Sequence, residues 1–182
     1  RREKAKLKSL MKLTIRILRK HLKQTAQIKK RSLLPKRNPQ PKQLPKKIIF
    51  IGSCGIYGNE NLLKIYQSSL AFNYEISGII GLSYTPIKIN LPNVSQKTIL
   101  INSSNFITNS AEISKKFKNL GFTAENMEAY SVRCVANLFK IDFECILCST
   151  NYCNENAHDD FIKNYPQAKE IITKYLKSKG II

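Results

Sequence analysis

Lys47-Ile48-Ile49-Phe50-Ile51-Gly52-Ser53-Cys54-Gly55 is a short, continuous apolar run that ends in a glycine-rich turn. Such a run is the pattern of a buried strand entering a tight loop, as in sheets covered on both faces. Residues 98–102 and 143–148 repeat the apolar pattern, the first of them followed by the polar loop Ser103-Ser104-Asn105-Phe106. Helical spacing of Leu62, Leu63, Tyr66 and Leu70 predicts a helix over 60–72. Residues 74–94 mix β-branched and aromatic residues with Gly and Pro and read as strands joined by turns. Ser110 or Asn109 can cap a helix reaching Asn119, with Gly121 as its stop. Residues 124–128 lead into a helix to Phe139, and a last helix is expected from the region of Pro166 to Gly180. Strands alternating with helices predict an α/β sheet, and no repeat at solenoid periods is present.

The rest of the chain is of another kind. The formal net charge of +19 is unevenly placed: residues 1–47 hold 18 of the 31 Lys and Arg and a single acid, Glu3. Residues 48–182 hold the other 13 bases with 11 acids, an ordinary globular balance. Leu7, Leu10, Met11, Ile15, Leu18 and Leu22 mark one face of an amphipathic basic helix, and Pro35, Pro39, Pro41 and Pro45 then give an extended linker. This arm suits nonspecific RNA binding weakened by salt, an anionic surface, or a solvated tail. No apolar run approaches the roughly 20 residues of a membrane-spanning helix, and no secretory signal is visible. Five cysteines without a regular framework fit a reducing cytoplasm. The chain opens on Arg1 rather than Met, as a fragment or a processed chain does.

Three segments place polar groups at strand ends or helix starts, where α/β proteins build ligand sites. They are Ile51-Gly52-Ser53-Cys54-Gly55, Asn126-Met127-Glu128-Ala129 and Ser149-Thr150-Asn151. Each has an ordinary reading alone: a plain strand-to-helix turn, or a first-turn acid at Glu128 favoured by the helix dipole. Phe106 equally suits a core ring. In this order, and with Phe106-Ile107 between the first and second, the segments resemble the nucleoside phosphorylase superfamily, which includes purine-nucleoside phosphorylases and methylthioadenosine nucleosidases. The resemblance covers residues 46–182 and is clearest from Asn102 to Asn151.

The resemblance implies a three-layer αβα sandwich with a mixed central sheet, behind a basic helical or disordered arm at residues 1–45. It implies cleavage of a purine N-glycosidic bond through an oxocarbenium-like ribose. Gly52, Ser53, Cys54 and Gly55 would form the loop under base and ribose, with Ser53 near phosphate in phosphorylases. Phe106 would stack on the purine, a contact worth about 1–3 kcal/mol in stacked-base sites. Met127 would pack against the sugar, and Glu128 would accept hydrogen bonds from the ribose 2′- and 3′-hydroxyls. Asn151 falls where the nucleosidases carry an Asp that protonates the leaving purine. An amide donates a hydrogen bond there but delivers no proton. In the family such an Asn accompanies 6-oxopurines, so an inosine- or guanosine-like nucleoside is expected. No metal or organic cofactor is implied, and phosphate enters only as a co-substrate if the enzyme is a phosphorylase. A cytoplasmic homo-oligomer is expected, since family members form dimers, trimers or hexamers.

The chain also departs from the family. Phe50 and Leu147 stand where some phosphorylases and the nucleosidases, respectively, carry an Arg. Residues 1–45 contain no glycine and no counterpart of the family's first strand and glycine-rich loop. A different reading frame in a disrupted gene would explain that arm, and an incomplete or inactive product would follow. A rival reading takes Cys145, Cys148, Cys153 and His158 as a zinc-knuckle spacing beside a nucleic-acid-binding arm. Cys145 and Cys148 sit in a predicted strand, where residues three apart point to opposite faces, which disfavours it. His158, Asp159 and Asp160 read as a solvated helix entry rather than a metal site or triad.

Overall fold

The computed structural model describes residues 43–83, 91 and 98–182. The expectations for the basic helix, for most of the linker and for much of the 74–94 region therefore lie outside the described residues. Residues Leu44–Ile182 form one compact unit.

Six strands make one mixed sheet: β1 (Lys47–Ile56), β2 (Ile65–Ser68), β3 (Ala71–Phe72), β4 (Ile101–Asn102), β5 (Ala124–Glu125) and β6 (Asp142–Tyr152). Their spatial order is β2-β6-β1-β5-β4-β3. β1 runs parallel to β6 over its whole length, β2 pairs antiparallel on the far side of β6, and β5 meets β1 antiparallel only at Gly55 and Ile56. The parallel pairs β5–β4 and β4–β3 continue the sheet. Among the described residues four helices accompany it: α1 (Ile76–Ile79), α2 (Ala111–Asn119), α3 (Ala129–Leu138) and α4 (Ala157–Ser178).

Strand alternation produces the three layers. Cys145 and Leu147 of β6 face α3 residues Ala129 and Ala136 in one cluster, while Ile146 and Cys148 face Ala168, Ile172 and Leu176 of α4 in another. A third cluster sits under α2, where the Phe117 ring stacks on Tyr57 with centroids 4.8 Å apart. α2 forms where expected: Ser110 Oγ accepts from the Ile113 amide, Glu112 and Lys116 pair one turn apart, and Gly121 takes φ +97° just past the end.

Three sequence expectations fail. The helix over 60–72 is absent, and the same residues form β2 and β3. Their apolar side chains are shared between both faces, Tyr66 in the α3 cluster and Leu63 and Ile65 in the α4 cluster, which a single helical stripe cannot do. Residues 76–79, expected in strands, form α1. The last helix begins at Ala157, nine residues before Pro166. Proline removes the bond to the Ile162 carbonyl, but Ile162 lies on an exposed turn where solvent can reach the backbone. Asp159 and Asp160 are first-turn acids of this helix and His158 beside them is exposed, the solvated entry expected. Among the described residues no helix is long and apolar enough to cross a membrane.

Replacing Pro166 by Ala restores one backbone hydrogen bond in the middle of α4. The expected outcome is a gain of up to about 3 kcal/mol, read as a rise in thermal midpoint by calorimetry. An unchanged or lower midpoint would mean the freed carbonyl is satisfied as well by water.

Candidate functional site

The site is built on one row of the sheet. Gly55 is in register with Asn151 of β6 on one side and Glu125 of β5 on the other, and Glu125 is in register with Asn102 of β4. The row depends on a bulge. Up to Cys54 the partner is Ser149, and at Gly55 it is Asn151, so Thr150 is an extra residue on β6. Bulges re-aim side chains, and this one sets Asn151 beside Gly55. Thr150 is fully buried, and its hydroxyl lies 2.9 Å from Asn151 Oδ1 and 3.4 Å from the Cys54 carbonyl.

Close approach dictates glycine at position 55. A Cβ there would lie 2.9 Å from Asn151 Nδ2 and from Cys153 Sγ, and 3.4 Å from Glu125 Cγ. Gly55 is thus the gap through which the amide and the carboxylate of the flanking strands come together.

Above the row opens a cleft of about 220 Å³. Its wall takes Ser53, Cys54 and Gly55 from β1, and Ser104, Phe106 and Ile107 from the loop after β4. Glu125 to Glu128 line it from β5 and the turn into α3, Thr150 and Asn151 from β6, and Phe161 from α4. All but one of the residues anticipated from the sequence meet here. Gly52 does not: it lines an adjoining cavity of about 390 Å³ with Phe50, Ile51 and the α4 residues Tyr165, Ala168, Lys169 and Ile172. Ser53, Asn126 and Glu128 border both spaces.

Asn126 holds the two halves of the site together. Its Oδ1 accepts from the amides of Glu128 (3.0 Å) and Ala129 (2.8 Å), capping α3, while its Nδ2 donates to the Ser53 carbonyl (3.0 Å). The helix start bearing Met127 and Glu128 is thereby fixed to the β1 loop. Both of those side chains are exposed to the cleft side of the turn. Asn151, 6% exposed, donates through Nδ2 to the Tyr152 carbonyl at 3.1 Å, and its amide group carries a second N–H. Phe106 is 68% exposed, on a loop drawn in by Ser104 Oγ donating to the Phe106 carbonyl at 2.6 Å.

Beneath the floor lies a polar chain that periodicity does not reveal. Tyr57 donates to Glu125 Oε2 at 2.7 Å, Thr108 Oγ1 donates to the same oxygen at 2.7 Å, and the Thr108 amide donates to Oε1 at 2.9 Å. Asn102 Nδ2 donates to the Tyr57 hydroxyl at 3.2 Å. Burial pushes the Glu125 carboxyl above its ordinary range, against the lowering effect of these hydrogen bonds. Burial likewise raises the Tyr57 hydroxyl, and the Glu125 charge adds to it. Glu125 was invisible as a site residue because its strand is two residues long. Asn126 carried a usable signal, a capping amide directly before a helix.

Four of the cysteines, Cys54, Cys145, Cys148 and Cys153, are buried thiols, and Cys134 on α3 is exposed. Burial pushes Cys145 and Cys148 up to about 11 and holds Cys54 well above the usual thiol range. Cys145 and Cys148 belong to clusters on opposite faces, and no metal-binding group of His, Cys, Asp or Glu exists among the described residues. The zinc reading is therefore set aside for the described residues.

The family model described as the phosphorylase superfamily matches residues 88–178. No curated protein matches the chain. Among solved structures, the chain is similar to a Helicobacter pylori methylthioadenosine nucleosidase, an Asp-to-Asn variant with 5′-methylthioadenosine in the active site. Identity is 18%, TM-score 0.57, with 73% of this chain and 67% of that one covered. A futalosine hydrolase of the same organism gives 16% identity and TM-score 0.59, with 73% and 66% covered. An Asp-to-Asn nucleosidase variant from Chlamydia trachomatis bound to methylthioadenosine gives 17% and 0.52, with 74% and 64% covered. The chain thus spans about two thirds of the length of these proteins.

Replacing Asn126 by Ala removes the α3 cap and the tie to Ser53 together. The expected loss is about 1–2 kcal/mol in denaturant unfolding, most of it from the cap. Gly55→Ala is expected to cost about 1–3 kcal/mol through overpacking against Asn151 and Cys153. Wild-type stability in either variant would contradict the geometry described.

Proposed function

Because the chain belongs to the phosphorylase superfamily, we propose that its cleft binds a purine nucleoside and that its reaction is cleavage of the N-glycosidic bond. The observation that carries this reading is convergence. Three segments far apart in sequence bring a carboxylate, a thioether, an exposed aromatic ring and a buried amide to one cleft.

In this reading Glu128 accepts hydrogen bonds from the ribose 2′- and 3′-hydroxyls, and its charge grows more favourable as the sugar becomes cationic. Met127 packs on the sugar, and Phe106 stacks on the base. Its exposure suits a ring that gains its partner only when substrate arrives. As the bond between C1′ and the base nitrogen lengthens, its electron pair passes to the purine, and the second N–H of Asn151 steadies that charge. The amide does not titrate near neutrality, so it supplies no proton. A 6-oxopurine, which spreads the charge onto its own oxygen, suits such a donor best. Two of the similar structures are Asp-to-Asn variants with 5′-methylthioadenosine bound, so an amide in place of an acid is compatible with nucleoside binding in this fold. Water or phosphate then adds at C1′.

The test is purine release from inosine, guanosine, adenosine and 5′-methylthioadenosine, with and without phosphate. Inosine or guanosine is expected to be cleaved fastest. Glu128→Ala is expected to lower kcat/KM by about 10- to 150-fold, the loss of a charge-assisted hydrogen-bond pair. Absence of both cleavage and nucleoside binding in folded protein would refute the proposal.

A further inference from the structure

Residues Ser104 to Thr108 carry the only aromatic ring of the loop over the cleft, and two carboxylates anchor its ends. At one end the amide and Nδ2 of Asn105 donate to the partly buried Glu75, at 3.2 and 2.9 Å to Oε1. At the other, both donors of Thr108 go to the buried Glu125. Only Phe106 and Ile107 lie between the anchors, and both are exposed. Their placement is therefore set by the anchors rather than by packing of their own. Unlike Glu75, Glu125 is buried and belongs to the sheet row that also holds Gly55 and Asn151. It is 7% exposed, and no ion pair to it exists among the described residues.

We propose that Glu125 is a positioning residue, tying the Phe106 loop to the same sheet row as Asn151 so that the base-stacking ring and the base-facing amide keep one spacing. This rests on reading the cleft as a nucleoside site. Glu125 itself faces Tyr57 and Thr108 and takes no part in bond cleavage. It couples two groups that must act on one purine ring.

The anchor is titratable. The groups facing Glu125 from the surrounding elements are Cys54 of β1, Tyr57 just after it and Cys153 after β6, and burial keeps all three neutral around pH 7. Burial also raises the Glu125 carboxyl, so the closed loop binds its proton more tightly than an open loop that hydrates it. The part of loop protection that comes from this proton binding is accordingly fully present below the ordinary carboxylate range and lost progressively as pH rises through the raised value, leaving the hydrogen bonds that Thr108 donates. A neutral isostere removes that dependence.

Hydrogen exchange resolved to residues 104–108, corrected for intrinsic rates, tests this in the full chain. Glu125→Ala is expected to speed exchange there about tenfold while leaving the Ile146–Cys148 core unchanged. Glu125→Gln is expected to restore protection and abolish its pH dependence. If the alanine variant does not fold, Thr108→Val, which deletes one of the two tethering donors, is expected to give a severalfold effect at the same residues. Hypoxanthine affinity should fall about tenfold in the variant with the freed loop, with ribose affinity unchanged. Unaltered exchange at 104–108, acceleration spread through the sheet, or equal losses for hypoxanthine and ribose would overturn the proposal. Failure of wild type to bind either probe would sink the nucleoside reading alone, since the exchange pattern is read without ligand.

Discussion

The parallel pairing of β1 with β6, with one extra residue at Thr150, is the constraint on which the rest depends. It brings two strand ends side by side and shifts their register at the point where chemistry is wanted. A glycine is needed at the crossing because the flanking side chains occupy the space of a Cβ. From that crossing the site spreads along the sheet, to Glu125 and Asn102 on one side and to Asn151 on the other. Loops and helix starts then add the groups that face the cleft. A sheet row carrying short loops and helix starts tied to it by hydrogen bonds is an effective way to hold several polar groups within ångströms of a productive arrangement.

The two carboxylates of the site differ because their surroundings do. Glu128 stands at the entry to α3, one residue before Ala129, exposed, with its backbone held by Asn126. It is free to meet hydroxyl groups. Glu125, three residues earlier, is buried in the cleft wall and committed to Tyr57 and Thr108. Burial without a counter-cation is costly for an ionised acid, and three donated hydrogen bonds offset part of that cost. One carboxylate is thus open to the cleft and the other is tied into the wall around it. In the function proposed here, the neutral amide of Asn151 would be the donor that meets negative charge forming on a departing base, and Glu128 the acceptor that meets positive charge forming on a sugar.

Much of this was legible in the amino-acid sequence, and the losses have physical causes. The 47–55 run and the stops at Gly121 and Phe139 were readable because apolar continuity and capping chemistry are local properties. The three polar segments announced the cleft because strand ends and helix starts are where such groups gather, and the family resemblance ordered them. The 60–72 region misled because Leu62, Leu63, Tyr66 and Leu70 fit a helical period while serving two faces of a sheet. Pro166 was read as a helix start because its tolerance depends on a solvent-exposed turn. The Thr150 bulge and the Glu125 network had no local signature at all: each arises from residues paired 17 to 96 positions apart.

The central claim is that these distant residues form one nucleoside cleft. Backbone amide chemical-shift mapping during titration with inosine examines it most directly, since it needs no turnover. The account predicts saturable shifts confined to residues 53–55, 104–108, 125–128, 150–151 and the start of α4. Saturable shifts centred elsewhere, or none up to millimolar inosine in folded protein, would contradict it.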